Sequence, residues 1–148
     1  MGQIVPAETF RGVCRARALM EDEYATTLTL DRLAIASGLS RFHVIRAFAR
    51  VYDQTPHQYL VGVRLARAKA LLRGATSVTE ACFEVGFSSL GSFSALFTRR
   101  VGRSPRVWQR EVLRFFAVRA ALRRPFVPYC LLQRYLGAIS EKHASPSR

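Results

Sequence analysis

Lysine is nearly missing from this chain: of its 23 basic residues only Lys69 and Lys142 are lysines, and the rest are arginines. Acid is scarce too, with 10 Asp and Glu, which leaves a formal net charge of +13. The three cysteines, Cys14, Cys82 and Cys130, are odd in number and widely spaced, so they do not form a disulfide framework and read as inert thiols. No run of about 18 apolar residues occurs, so no membrane-spanning helix is expected. Residues Met1 to Glu8 have neither a basic start nor a long apolar stretch. A secretory leader is therefore not expected, and the setting reads as cytoplasmic.

Patterns that carry chemistry are equally scarce. His43, His57 and His143 stand far apart, without Cys or carboxylate partners at ligand spacing, so no metal site is expected. Gly86-Phe87-Ser88-Ser89-Leu90-Gly91 is not a G-x-S-x-G elbow, and helical patterns rather than a strand flank it. No phosphate loop or dinucleotide fingerprint is present. The chain reads as no enzyme, with no catalytic residue, no cofactor and no metal.

Apolar residues make up 49% of the sequence, enough to bury a core, so the basic balance is not that of a disordered tail. Strand-type alternation is missing, and the apolar residues fall at helical spacing between caps and breakers. The expected fold class is all-α, with about seven helices. The first runs from about Phe10 to Glu23, with Phe10, Val13, Cys14, Arg17, Ala18 and Met20 or Glu21 at helical spacing. Thr29 caps Leu30 to Ser37, with Leu30, Leu33 and Ala34 on one side, and Gly38 stops it. Ser40 caps Arg41 to about Tyr52, whose buried stripe is Val44, Ala47, Phe48 and Val51. Thr55-Pro56 opens a long helix to about Arg73, with Tyr59, Leu60, Val63, Ala66, Ala70 and Leu71 on adjoining faces. Ser77 and Glu80 form a capping box for a short helix to about Val85. Ser88 or Ser89 caps another to about Arg100, burying Phe93, Leu96 and Phe97, and Ser104-Pro105 starts a last helix through Trp108.

Two segments repeat. Ala34-Ile35-Ala36-Ser37-Gly38-Leu39-Ser40 aligns with Cys82-Phe83-Glu84-Val85-Gly86-Phe87-Ser88 at a shift of 48 residues. Past the turn the shift is 49: Val44 meets Phe93, Phe48 meets Phe97, Thr55-Pro56 meets Ser104-Pro105 and Tyr59 meets Trp108. Each unit has the logic of a helix-turn-helix. A small residue four before the glycine lets two helices approach, the glycine permits a left-handed turn, and an apolar residue beyond it packs the second helix back.

The second unit, Val85-Gly86-Phe87-Ser88-Ser89-Leu90-Gly91-Ser92-Phe93-Ser94-Ala95-Leu96-Phe97 followed by Gly102-Arg103-Ser104-Pro105-Arg106, resembles the signature of AraC/XylS-type transcription regulators. Arg64-Leu65-Ala66-Arg67-Ala68-Lys69-Ala70-Leu71-Leu72 is similar to the linker helix of that family, and Leu30-Asp31-Arg32-Leu33-Ala34 to the start of its first unit. The resemblance covers about Arg15 to Arg110. It implies residues 1–14 as a tail and the start of the first helix, and residues 15–110 as the DNA-binding domain. Within that domain the first helix-turn-helix lies at about 30–52, the linker helix at about 56–73 and the second at about 78–101. Residues 111–148 follow as a helical extension. Three departures stand out: Ala95 where members often carry Arg, Cys82 for the usual Ala, and Asp53 for a Gly. The short stretch before the match resembles the sensor-less members, whose activity follows their abundance.

The implied function is sequence-specific binding of double-stranded DNA by a transcription regulator, an activator, that works as a monomer on two successive major-groove segments. On the first reading helix the outward residues are Arg41, Phe42, Ile45, Arg46 and Ala49. Of these Phe42 and Ile45 can meet thymine methyls and Arg46 a guanine, while Ser40, Arg41 and Arg50 hold phosphates. The equivalent base-facing set on the second helix is Leu90, Gly91, Ser92, Ser94 and Ala95, which carries no charge and makes no bidentate contact. Ser88, Ser89, Arg99, Arg100, Arg103 and Arg106 would anchor it on phosphates. Unequal readout is expected, with the first unit carrying most specificity. The linker helix of about 18 residues, about 27 Å at 1.5 Å per residue, suits reading helices roughly one DNA turn, about 34 Å, apart.

Charge agrees in kind. Residues 29–110 hold 13 basic against 4 acidic residues, and residues 111–148 hold 7 against 2. Arginine grips phosphate and guanine in a fixed fork, although arginine richness also follows from codon usage. The apolar stretch Phe126 to Gly137 either packs back on the domain or meets a partner, such as a second subunit or RNA polymerase; residues 140–148 read as disordered. A basic module that coats nucleic acid without reading sequence is the competing reading.

Overall fold

Hydroxyl side chains start six of the helices of this protein, and these caps fix where the chain changes direction. In the computed structural model, which describes residues 5–122, the elements are α1 (Ala7–Asp22), α2 (Leu30–Ser37), α3 (Arg41–Tyr52), α4 (Pro56–Arg73), α5 (Val78–Glu84), α6 (Leu90–Val101) and α7 (Pro105–Leu122). There is no strand among the described residues. Thr29, Ser40, Thr55, Ser77 and Ser89 each accept a hydrogen bond from the backbone N–H three residues on. Ser104 does the same for Val107 at 3.4 Å. Thr55–Gln58 and Ser77–Glu80 are reciprocal capping boxes. The expected C-terminal readings at residues 126–137 and 140–148, and Cys130, lie outside the described residues.

The internal repeat is realised in three dimensions. Gly38 and Gly86, 48 apart in the chain, both take left-handed backbone, with φ of 70° and 84°. The caps Ser40 and Ser89 are 49 apart, so the one added residue of the second turn is Ser88. The buried aromatics follow suit. Phe48 meets Tyr59 edge-on, with ring centroids 5.4 Å apart and planes at 71°. Phe97 meets Trp108 at 6.0 Å and 70°.

Each unit has its own core. Val13, Ala16, Met20, Leu33, Val44, Ala47, Phe48 and Leu60 form the first, drawn from α1 to α4. Val61, Leu65, Ala68, Leu72, Ala81, Cys82, Val85, Phe93 and Phe97 form the second, drawn from α4 to α6, with Trp108 of α7 packed against it. Burial raises the Cys82 thiol above its ordinary value, which keeps it neutral.

Three helix faces differ from the sequence expectation. Helix α1 begins at Ala7 rather than Phe10, so the expected boundary between residues 14 and 15 falls inside it. Its inner face is Thr9, Gly12, Val13, Ala16 and Met20, and Phe10 is 48% exposed. The reason is a close approach: a Cβ on Gly12 would lie 2.6 Å from the Ser37 carbonyl oxygen, so α1 turns its glycine toward the end of α2. Leu30 is likewise exposed, leaving Leu33 as the apolar anchor of α2. In α4, Leu60 is buried as expected, but Val61, Leu65, Ala68 and Leu72 carry the rest, while Ala66 and Ala70 are exposed and Val63 is half-buried. A helix shared by two cores has no single apolar stripe.

Candidate nucleic-acid interface

Helix α3 turns Val44, Ala47 and Phe48 inward, which leaves Phe42, Arg46 and Arg50, at i, i+4 and i+8, on its outer side. Phe42 is 78% exposed, an apolar ring set beside two exposed arginines. Ile45 and Ala49 are half-buried at the edge of this face. The hydroxyl of Ser40 is committed to its cap, accepting from the His43 N–H at 3.3 Å. Arg41 forms an ion pair with Asp31 of α2, so it is not an idle phosphate ligand. His43 itself is exposed.

Helix α6 repeats the arrangement with different chemistry. Phe93 and Phe97 face inward; Leu90, Gly91 and Ala95 are exposed, and Ser94 is half-buried. Ser89 accepts from the Ser92 N–H at 3.1 Å and donates to the Ser92 hydroxyl at 3.0 Å, so these two hydroxyls are already engaged with one another. Arg99 stands where Arg50 stands in the first unit, and both are exposed. Ser88, Arg100 and Arg106 are exposed; Arg103 is ion-paired with Glu111. Neither α3 nor α6 has an acid in its first turn, whereas α1, α2 and α5 carry Glu8, Asp31 and Glu80 there. The positive ends of both helices thus stay open to an anion.

Some residues of this surface escaped the sequence reading. On α7, Arg106, Arg110 and Arg114 are all exposed at successive i+4 steps, forming a basic ridge beyond the one arginine expected there. Their spacing was the available signal. Conversely, residues 75–98 contain no Lys or Arg at all, so the second unit draws its positive charge from residues that follow α6's midpoint. Glu80 is held low by its Ser77 partners and remains a carboxylate.

The comparisons with known proteins agree with this geometry. A family model described as a helix-turn-helix domain matches residues 33–111. A structure from Chromobacterium violaceum, titled a transcriptional regulator with an AraC-type DNA-binding domain, superposes with a TM-score of 0.65 at 28% identity, covering 72% of this chain and 96% of that one. The chain belongs to the AraC-type helix-turn-helix family. Among its relatives, the HTH-type transcriptional activator RhaS of Escherichia fergusonii is 37% identical over 90 residues, 60% of this chain and 32% of RhaS. An uncharacterized HTH-type transcriptional regulator in the cgkA 5′ region of Pseudoalteromonas carrageenovora is 30% identical over 98 residues, 66% of this chain and 58% of the relative. The chain thus spans less than two thirds of either curated relative.

No helix among the described residues is long and apolar enough to cross a membrane. No three of their His, Cys, Asp and Glu side chains gather where a metal ion could sit.

Proposed function

We propose that this protein is a sequence-specific transcription regulator that lays α3 and α6 into successive major-groove segments of double-stranded DNA. The observation that carries the reading is the duplicated scaffold with two outward faces of unequal chemistry. The α3 face bears the exposed Phe42, Arg46 and Arg50, and the α6 face bears Leu90, Gly91 and Ala95 before Arg99. Arg46 reads guanine, Phe42 and Ile45 meet thymine methyls, and Leu90, Gly91, Ser92, Ser94 and Ala95 give the weaker second contact. Ser40, Arg41, Arg50, Ser88, Ser89, Arg99, Arg100, Arg103 and Arg106 set register on phosphates, with Arg110 and Arg114 added to them. The site is asymmetric and taken by one monomer.

The named activity of RhaS supports an activator, with RNA polymerase as the partner at the promoter. A random-pool binding selection with wild type and Arg46→Ala tests the reading. Wild type should enrich an asymmetric site over bulk DNA by more than about 10³ at fixed salt. No enriched sequence, or a stronger base preference at the second half-site than at the first, overturns it.

A further inference from the structure

Besides α4, the loop between α1 and α2 joins the two units. Tyr24 of that loop packs against both cores. Ala25 lies directly on the turn of the second unit: a Cβ at Gly86 would collide with the Ala25 carbonyl group, standing 2.8 Å from its carbon. Gly86 also has φ of 84°, so glycine is required there both for the backbone and for the contact. The loop is gripped from α4. Arg64 donates through Nε to the Tyr24 carbonyl at 2.7 Å and through a terminal nitrogen to the Thr26 carbonyl at 2.9 Å. Its guanidinium lies 5.7 Å from the centroid of the Phe87 ring, on the second turn. Arg67 reaches over the Tyr24 ring at 5.2 Å.

We infer that Arg64 and the Tyr24–Ala25–Thr26 loop are a brace that locks the second helix-turn-helix unit to the first, and that this brace, rather than α4 alone, sets which half-site spacing the protein accepts. Arg64 is a positioning residue in this scheme: it touches backbone carbonyls of one unit and an aromatic ring of the other, and no base or phosphate is assigned to it. The magnitudes favour a brace over a bare helix. With reading heads about 34 Å apart, each on an arm of about 17 Å, a rotation of about 10° shifts one head by about 3 Å. That is nearly the 3.4 Å step between successive base pairs. A linker able to flex by that amount would not distinguish spacings one base pair apart. A fork donating to two carbonyls while seated on a ring resists such rotation, which a flexible ammonium cannot reproduce.

The inference rests on the DNA-reading role proposed above, so its test has one arm that needs no DNA. In the free full-length protein, residual dipolar couplings from the two units of wild type should fit one alignment tensor, and those of Arg64→Ala two. Couplings within each unit should stay unchanged, showing that both remain folded. On DNA, moving the selected half-sites one base pair apart should weaken wild type about tenfold and Arg64→Ala less than about threefold. A folded Arg64→Ala with a single tensor and wild-type spacing discrimination overturns the brace. Should that variant not fold, Arg64→Lys, which keeps the charge and stem but loses the two-carbonyl fork, carries both arms. If wild type selects no DNA sequence, the reading role fails while the coupling arm still decides the brace.

Discussion

Asp53 and Gly102 occupy the same place in the two halves of the molecule, closing α3 and α6 in left-handed backbone, with φ of 56° and 82°. Glycine adopts this conformation freely; an aspartate can, at some cost from its Cβ. Asp53→Gly is therefore expected to stabilise the first unit by up to about 1 kcal/mol, and Gly102→Asp to destabilise the second by a similar amount. Urea unfolding, read as a shift of midpoint at constant slope, measures both. A loss of stability in Asp53→Gly would mean that the carboxylate makes a contact worth more than the strain.

The two turn glycines should respond unequally to the same change. A Cβ on Gly38 meets only the tip of Arg15, 3.6 Å away, whereas one on Gly86 meets the Ala25 backbone. Gly38→Ala should cost about 1 kcal/mol, the left-handed penalty alone. Gly86→Ala should cost at least about 1 kcal/mol more, because backbone must move as well. Equal losses in thermal melts would show that the loop yields freely.

Arg46 and Arg50 share one face of α3 and are expected to separate by assay. Arg46→Ala should lose about 1–3 kcal/mol of discrimination at one base position. Arg50→Ala should weaken all sequences alike and lower the slope of log affinity against log salt by about 0.9. Gel-shift titrations on selected and scrambled sites at several salt concentrations distinguish the two, and the reverse pattern would exchange their roles.

Asp31 holds Arg41 at the start of α3. Both side chains are more than half exposed, so the pair contributes at most about 1 kcal/mol to folding. At the proposed interface its larger effect would be on DNA, where the carboxylate competes with phosphate for the guanidinium. Asp31→Asn should leave the melting temperature nearly unchanged, tighten DNA binding severalfold and steepen its salt dependence. Weaker binding would show instead that Asp31 orients Arg41 for its phosphate.

Tyr59 donates its hydroxyl proton to Glu21, and burial followed by that carboxylate pushes the phenol up to about 12. A folded value above the ordinary 10 means that the native state favours the protonated ring. The resulting stability is complete below pH 10 and is lost as pH rises from about 10 to about 12. Denaturant unfolding across that range should show a decline that Tyr59→Phe reduces; an unchanged decline would place the titration elsewhere.

Much of this fold was legible because its punctuation is local. Thr29, Ser40, Thr55, Ser77 and Ser104 declare helix starts by chemistry completed within three residues, and the repeat shift of 48 and then 49 places both turns. The start of α1 was hidden because Pro6 precedes it without any side-chain cap bond. The faces of α1 and α4 were misread for tertiary reasons: Gly12 abuts Ser37, and α4 serves two cores. The outward faces of α3 and α6 followed from their buried stripes. The ion pairs that engage Arg41 and Arg103 did not, because their partners Asp31 and Glu111 come from other helices.

The family match begins at residue 33, yet the core around Phe48 is floored by Val13, Ala16 and Met20. Arg15 also reaches from α1 to cap the end of α2, donating to the Ala36 and Ser37 carbonyls at 3.1 and 2.8 Å. What is recognisable by descent and what is self-supporting as a solid are therefore different lengths of chain. A portable version of this domain, grafted onto another protein, has to be cut ahead of Ala7 rather than at the edge of the signature.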